Sequence, residues 1–86
     1  MTDHDIFERG MMAETIMRSD EFNALFAAVE ADLASEFLNA PMGDADALNA
    51  IHMTMHGMRS FAQRLASYVL AKENVRAQAD DPAQGN

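Results

Sequence analysis

The sequence has no cysteine and no tryptophan, and among its 86 residues only two are proline and one is tyrosine. Without cysteine, a disulfide framework, a thiolate metal site and a cysteine nucleophile are all excluded. The scarcity of proline, tyrosine and tryptophan argues against small β-sandwiches and barrels, whereas the frequent alanine, leucine, methionine and glutamate favour helix. The composition therefore predicts an all-α fold.

Basic residues are also scarce, since six Lys and Arg face fourteen Asp and Glu and the net charge is −8. Such a chain repels a phosphate backbone, so we expect neither a nucleic-acid nor an anionic-membrane partner. The excess of acidic residues lies in residues 1–50, which have a net charge of −9, whereas residues 51–86 have a net charge of +1. No run approaches the ~18 apolar residues of a membrane span, and the N-terminus lacks the basic start of a secretory signal. We expect a soluble, intracellular protein.

Three helices are predicted, at about residues 5–18, 20–39 and 44–79, forming one domain over 1–79 with a disordered tail at 80–86. Ser19 or Asp20 caps the second helix, Pro41 and Gly43 end it, and Asp44 caps the third. Apolar residues form a helical stripe on the second helix at Phe22, Leu25, Phe26, Val29, Leu33 and Phe37. They continue on the third at Leu48, Ile51, Met55, Met58, Ala62, Leu65 and Val69. These stripes predict an antiparallel helical hairpin preceded by a short N-terminal helix.

The two predicted hairpin helices differ in length, at about 31 and 54 Å. A hairpin that turns at residues 40–44 ends near Leu65, so apolar residues near and beyond that point need the first helix or a second chain to cover them. We expect a homo-oligomer, because the first helix is short and its apolar face is loosely defined, and because so small a core needs reinforcement. The predicted interaction residues are Phe61, Leu65, Tyr68, Val69 and Val75.

Candidate chemistry is sparse. His52 and His56 are spaced i,i+4 among methionines, which is a weak signal for zinc or copper, but a third ligand at suitable spacing is missing. The glycines are isolated, and no serine has a histidine and an acid at a suggestive spacing. We therefore predict no catalytic residue, no metal and no cofactor. In the hairpin register Asp32 faces His52 and Glu21 faces Arg64, which predicts edge pairs worth about 0–1 kcal/mol.

Several short segments are shared in residue type and spacing with a known group of proteins. They are Phe7-Glu8-Arg9-Gly10, Ala13-Glu14, Asp20-Glu21-Phe22, Pro41, Met58-Arg59-x-Phe61 and Leu65-x-x-Tyr68-Val69. Together they resemble small helical proteins encoded by tailed bacteriophages and prophages. The resemblance implies a phage context, in the virion or in the cytoplasm of the bacterial host. It implies no enzymatic motif.

Three functions follow as expectations. The first is a non-enzymatic helical interaction protein of phage particle assembly, as a minor capsid, cement or scaffold-like component. The second is a small acidic regulator that binds a host or phage protein. The third is a metal-binding helical module that uses His52 and His56.

Overall fold

The computed structural model describes residues 1–80. It has three helices, α1 (Asp3–Met17), α2 (Asp20–Asn39) and α3 (Ala45–Asp80), and no strand within that range. The predicted all-α class is confirmed, and each helix boundary lies within two residues of its predicted position. The predicted disorder of the tail concerns residues that, after Asp80, lie outside the described part of the chain. No helix within residues 1–80 combines the length and the apolarity needed to cross a membrane.

The helix starts have side-chain caps. The Phe22 amide donates to Ser19 Oγ at 3.1 Å, and the Ala47 amide donates to Asp44 Oδ1 at 3.1 Å, as the sequence predicted. Helix α1 begins two residues earlier than expected because Thr2 and Asp5 form a reciprocal capping box. The Thr2 amide donates to Asp5 Oδ2, and the Asp5 amide donates to Thr2 Oγ1, both at 3.2 Å. The bond from the Thr2 amide to the carboxylate is the main reason that the pKa of Asp5 lies below its ordinary value.

The turn between α2 and α3 depends on Gly43, whose φ of 91° lies in the left-handed region. This conformation is open to glycine and strained for other residues. The turn is further closed by the Asp44 amide, which donates to the Pro41 carbonyl at 3.1 Å. The predicted turn at residues 40–44 is therefore present, and α3 starts directly after it.

The tightest packing lies between α1 and α3, not within the expected hairpin. Ala13 of α1 and Leu65 of α3 are the buried apolar residues of the described chain. Helix α2 touches α3 sparsely, with the Phe22 and Phe61 rings 6.5 Å apart, and the predicted hairpin is not confirmed as the dominant unit. The molecule is elongated, at 65 × 25 × 18 Å. Helix α3 is thus the central helix, and α1 packs along its C-terminal half.

Candidate functional site

The α1–α3 contact is built around Gly10. A Cβ atom placed on Gly10 lies 2.3 Å from Lys72 Cβ and 2.7 Å from the Tyr68 carbonyl oxygen. Such distances are too short for any side chain, so glycine is what lets the two helix backbones approach this closely. The Arg9 guanidinium lies 5.2 Å from the centre of the Tyr68 ring, within range of a cation–π contact. Helix α1 is therefore seated on α3 by close backbone approach as well as by apolar packing.

Lys72 is buried at this crossing, with only 4% of its surface exposed. Its ammonium hydrogen-bonds Glu14 Oε2 and lies 3.2 Å from Glu73 Oε1, while Arg18 Nη2 lies 2.8 Å from Glu14 Oε1. The bond from Lys72 is the main reason that the pKa of Glu14 lies below its ordinary value, and the bond to Glu14 raises the pKa of Lys72. The four side chains form an ion-pair cluster that holds α1 to α3.

The cluster predicts a pH window of stability. A carboxyl with a depressed folded pKa stabilises above its ordinary value of 4.5, and this is lost as the pH falls through the folded pKa. A lysine with a raised folded pKa stabilises below its ordinary value of 10.5, and this is lost as the pH rises through the folded pKa. We expect Glu14→Gln to lower the melting temperature by several degrees at neutral pH, and the difference from wild type to shrink on the acid side.

Thermal unfolding followed by circular dichroism across this pH range measures the effect. Glu8→Gln is the matched control, because Glu8 is exposed and pairs only with His4 one turn away, at 3.2 Å. An exposed pair of this kind adds about 0–1 kcal/mol, so the control stays close to wild type. Equal melting temperatures for wild type and Glu14→Gln at neutral pH contradict the proposed role of the cluster.

The five residues predicted to form an interaction surface are placed differently from one another. Leu65 is 7% exposed, Phe61 is 49% exposed, and Tyr68, Val69 and Val75 are half-buried. Helix α1 lies across this region, since Met17 lines a shared cleft with Leu65 and a second one with Val69. Leu65 is thus part of the chain's own core, so of the two ways in which this region was expected to be covered, by the first helix or by a second chain, α1 covers Leu65. The lengths of the two hairpin helices carry no information on how closely a helix that contains glycine packs against α3.

The open apolar surface lies instead along α2 and the N-terminal half of α3. None of the 20 residues of α2, all within the described chain, is buried. Phe37 and Leu38 of α2, with Ala34, form a groove of about 360 Å³ whose other wall is His52 and Met55 of α3. Helix α1 does not line this groove. We call these five residues the α2–α3 groove.

Two further clefts adjoin the α2–α3 groove, and each includes a charged side chain. A separate cleft at the turn end shares Phe37 and His52 with the groove and is also lined by Asp46. Another shares His52 and Met55 with it and is also lined by His56 and Arg59. Neither Asp46 nor Arg59 forms an ion pair with another residue in 1–79. One of the two adjoining clefts therefore includes a carboxylate, and the other includes a guanidinium.

The predicted edge pairs do not form. Among residues 1–79 no ion pair joins Asp32 to His52 or Glu21 to Arg64. Glu21 instead accepts a hydrogen bond from the Ser19 hydroxyl at 3.3 Å. Because α2 packs sparsely on α3, the long side chains on its edges are not brought within ion-pair distance.

The two histidines of the weak metal signal both lie on the surface. His52 and His56 line one side of the groove with Met55 and Arg59, and no group of three His, Cys, Asp or Glu side chains suited to a metal occurs within the described residues. The neighbouring Arg59 guanidinium also opposes a cation. We expect chelator treatment to leave the melting temperature unchanged and His52→Ala with His56→Ala to shift stability by about 0.5 kcal/mol or less. Stoichiometric zinc or copper retained through gel filtration contradicts this.

Comparison with protein families, with curated proteins and with solved structures gave no match.

Proposed function

We propose that this chain is a non-enzymatic helical interaction protein that associates with itself and serves bacteriophage particle assembly, as a minor virion, cement or scaffold-like component. The observation that supports the interaction role is the exposure of α2, whose large apolar side chains Leu25, Val29, Phe37 and Leu38 are all open to solvent. Exposed apolar patches on small proteins mark contact sites. The phage context is supported by the sequence resemblance alone.

The charged side chains that come together in space also favour a structural role over catalysis. Lys72 is 4% exposed and is paired with two carboxylates, those of Glu14 and Glu73. A catalytic lysine or carboxylate typically has a pKa shifted toward neutrality. Here the pKa of Glu14 is lowered and that of Lys72 is raised, so both groups stay charged at neutral pH. This pattern is typical of an ion pair that holds two helices together.

Light scattering over a concentration series tests the interaction role. The proposal expects a mass above the 9.5 kDa of one chain at tens of micromolar, falling toward that value on dilution. A constant mass of one chain, together with an absence of the protein from purified particles of a phage that encodes it, contradicts the proposal. Mass spectrometry of such particles decides whether the protein is incorporated in the virion.

A second function is favoured by the charge of α2. This helix carries five acids and no base, and none of the five forms an ion pair within residues 1–79. They are Asp20, Glu21, Glu30, Asp32 and Glu36. An uncompensated acidic helix suits a small regulator that binds a basic surface of a host or phage protein. A monomer that binds a defined basic partner, with an affinity that falls as salt is raised, separates this function from self-association.

A further inference from the structure

Five exposed residues of α2 lie in one stripe along the helix. At about 100° per residue, Glu21, Leu25, Val29, Asp32 and Glu36 fall within a sector about 80° wide. All five side chains are exposed, and the two apolar ones, Leu25 and Val29, are 68% and 44% exposed. We call these five residues the acid-flanked stripe.

The acid-flanked stripe is not the side of α2 that packs on α3. The half-buried residues of α2 are Phe22, Phe26 and Leu33, and their sector is centred about 80° away from the middle of the stripe. Phe37 and Leu38, near the turn, lie about 120° and 140° from the middle of the stripe. The stripe is therefore open to solvent and separate from the α2–α3 groove.

The order of charged and apolar residues along the stripe is what identifies its partner. Glu21 lies at one end, Asp32 and Glu36 lie at the other, and Leu25 and Val29 lie between them. None of the three acids forms an ion pair within residues 1–79, and α2 contains no base. A surface complementary to the stripe therefore has apolar side chains in its middle and basic side chains at both ends.

The spacing of the stripe indicates the shape of the partner. From Leu25 to Glu36 the positions advance by four, three and four residues, which is the alternation by which two helices pack side by side. The 15 residues from Glu21 to Glu36 correspond to about 22 Å, or about four turns. An amphipathic helix of this length, lying along α2, brings its own side chains to the whole stripe.

A second copy of α2 does not fit the stripe. All three charged positions are acidic, so a parallel and an antiparallel arrangement of two stripes both place carboxylates next to carboxylates. Like charges brought together across an interface oppose association. Self-association through α2 then uses its turn end, where Phe37 and Leu38 are exposed.

We propose that the acid-flanked stripe binds a basic amphipathic helix of another protein, with apolar side chains of that helix on Leu25 and Val29 and its Lys or Arg side chains paired with Glu21, Asp32 and Glu36. This inference rests on the second proposed function, the small acidic regulator, because it names the surface and the partner for that function. The charge pairs fix the position of the partner and speed its encounter, and the apolar contact supplies the affinity that is independent of salt.

A pair of synthetic peptides tests the chemistry of the partner. The first is a helix of about 20 residues with leucines in the middle of one face and lysines at both ends of that face. The second has the same residues in an order that gives no apolar face. Fluorescence anisotropy of each labelled peptide, titrated with the full chain, measures its dissociation constant. We expect the amphipathic peptide to bind at least about tenfold more tightly than the reordered one, and both affinities to fall as salt is raised.

Two double variants test the position of the charges. Asp32→Asn with Glu36→Gln removes two acids of the stripe, and Asp20→Asn with Glu30→Gln removes one Asp and one Glu from other sides of the same helix. We expect the first to weaken binding of the amphipathic peptide about tenfold and the second to change it by about twofold or less, because solvent and salt screen charges outside the contact. Both change the net charge equally, so the difference between them reports position.

Two leucine variants test the apolar middle of the stripe without a change of charge. Leu25→Gln alters the stripe, and Leu38→Gln alters a leucine of α2 outside it. We expect Leu25→Gln to weaken binding of the amphipathic peptide about fivefold or more, and Leu38→Gln to leave it unchanged. The two leucines are 68% and 83% exposed, so neither substitution disturbs a core, and circular dichroism of every variant checks that the helix content is kept.

The possible outcomes separate this inference from the second proposed function. If the reordered peptide binds as tightly as the amphipathic one, or both double variants weaken binding equally, net charge alone explains the binding, and the inference is wrong while the acidic regulator stands. If neither peptide binds at low salt, the inference is wrong and the regulator loses its electrostatic support. If Leu25→Gln lowers the mass of a wild-type oligomer in light scattering, a second copy occupies the stripe and the inference is overturned. Weaker binding in the stripe variants alone supports the proposed partner.

Discussion

Leu65→Asp is expected to unfold a large share of the chain at neutral pH rather than to release a folded monomer. Leu65 is 7% exposed and lines a cleft between Met17 of α1 and Phe22 and Phe26 of α2. The substitution removes a buried leucine and leaves a carboxylate without a partner, a combination worth at least about 3 kcal/mol. A domain of this size has a total stability of only about 4–13 kcal/mol. Urea unfolding followed by circular dichroism measures the loss.

Leu70→Asp is the control for this experiment. Leu70 lies on the same helix, five residues further on, and is 63% exposed. The same chemical change is expected to alter the free energy of unfolding by about 0.5 kcal/mol or less, since surface substitutions rarely do more. If Leu65→Asp instead keeps the wild-type unfolding midpoint and lowers the mass of an oligomer, Leu65 belongs to an interface between chains and α1 does not cover it.

Gly10→Ala is expected to lower the free energy of unfolding by about 1–3 kcal/mol, against the usual benefit of alanine in a helix. The added methyl group meets Lys72 Cβ and the Tyr68 carbonyl, and neither atom is the free end of a flexible side chain. To relieve the overlap, α1 has to move away from α3. That movement also disturbs the bond between Lys72 and Glu14.

Gly57→Ala is the matched control for Gly10→Ala. Gly57 is likewise inside a helix, but a Cβ there meets nothing within 4 Å. Alanine at this position is expected to stabilise by about 1 kcal/mol through helix propensity. The two substitutions are chemically identical. Changes of opposite sign in the free energy of unfolding, measured with urea, therefore isolate the effect of the α1–α3 contact. Stabilisation of similar size at both positions means that α1 does not approach α3 closely at Gly10.

The helices themselves were predictable from the sequence because their signals are local. Ser19 and Asp44 cap the backbone within three residues, and the turn at Gly43 needs no information from elsewhere in the chain. The long periodic stripes on α2 and α3 likewise fix helix over strand by their spacing. The one boundary that shifted by two residues did so through another local signal, the Thr2–Asp5 capping box.

The packing of α1 on α3 was not predicted, because it depends on two residues far apart in the chain. By helix propensity alone, glycine weakens a helix. Gly10 together with Ala13 at i+3 nevertheless forms a small-residue face that allows close approach. Lys72 stands at the next seam position after Val69, where a charge normally ends an apolar stripe. Its burial follows only from the presence of Glu14 and Glu73 around it. Pairing of this kind is a property of the folded chain.

The burial of Leu65 against α1 was left open by the sequence for the same reason. The length comparison of α2 with α3 was sound, and it showed that something must cover Leu65 and Val69. It could not choose between the first helix and a second chain, because the close approach of α1 to α3 at Gly10 depends on the fold, and α1 residues lie beside Leu65 and Val69. The open surface is then on the other half of α3, where the groove includes Phe37 and Leu38.

Hydrogen exchange measured at low and at high micromolar concentration tests the central claim most directly, that copies of the chain associate through the exposed apolar side chains of α2. Helix α2 has no buried residue, so in a single chain its amides are expected to open and exchange readily. The account predicts that protection rises with concentration in residues 29–39 and 45–58, while residues 3–17 and 65–76 exchange alike at both concentrations. Exchange that is independent of concentration everywhere, or that slows only around Phe61 to Val75, contradicts it.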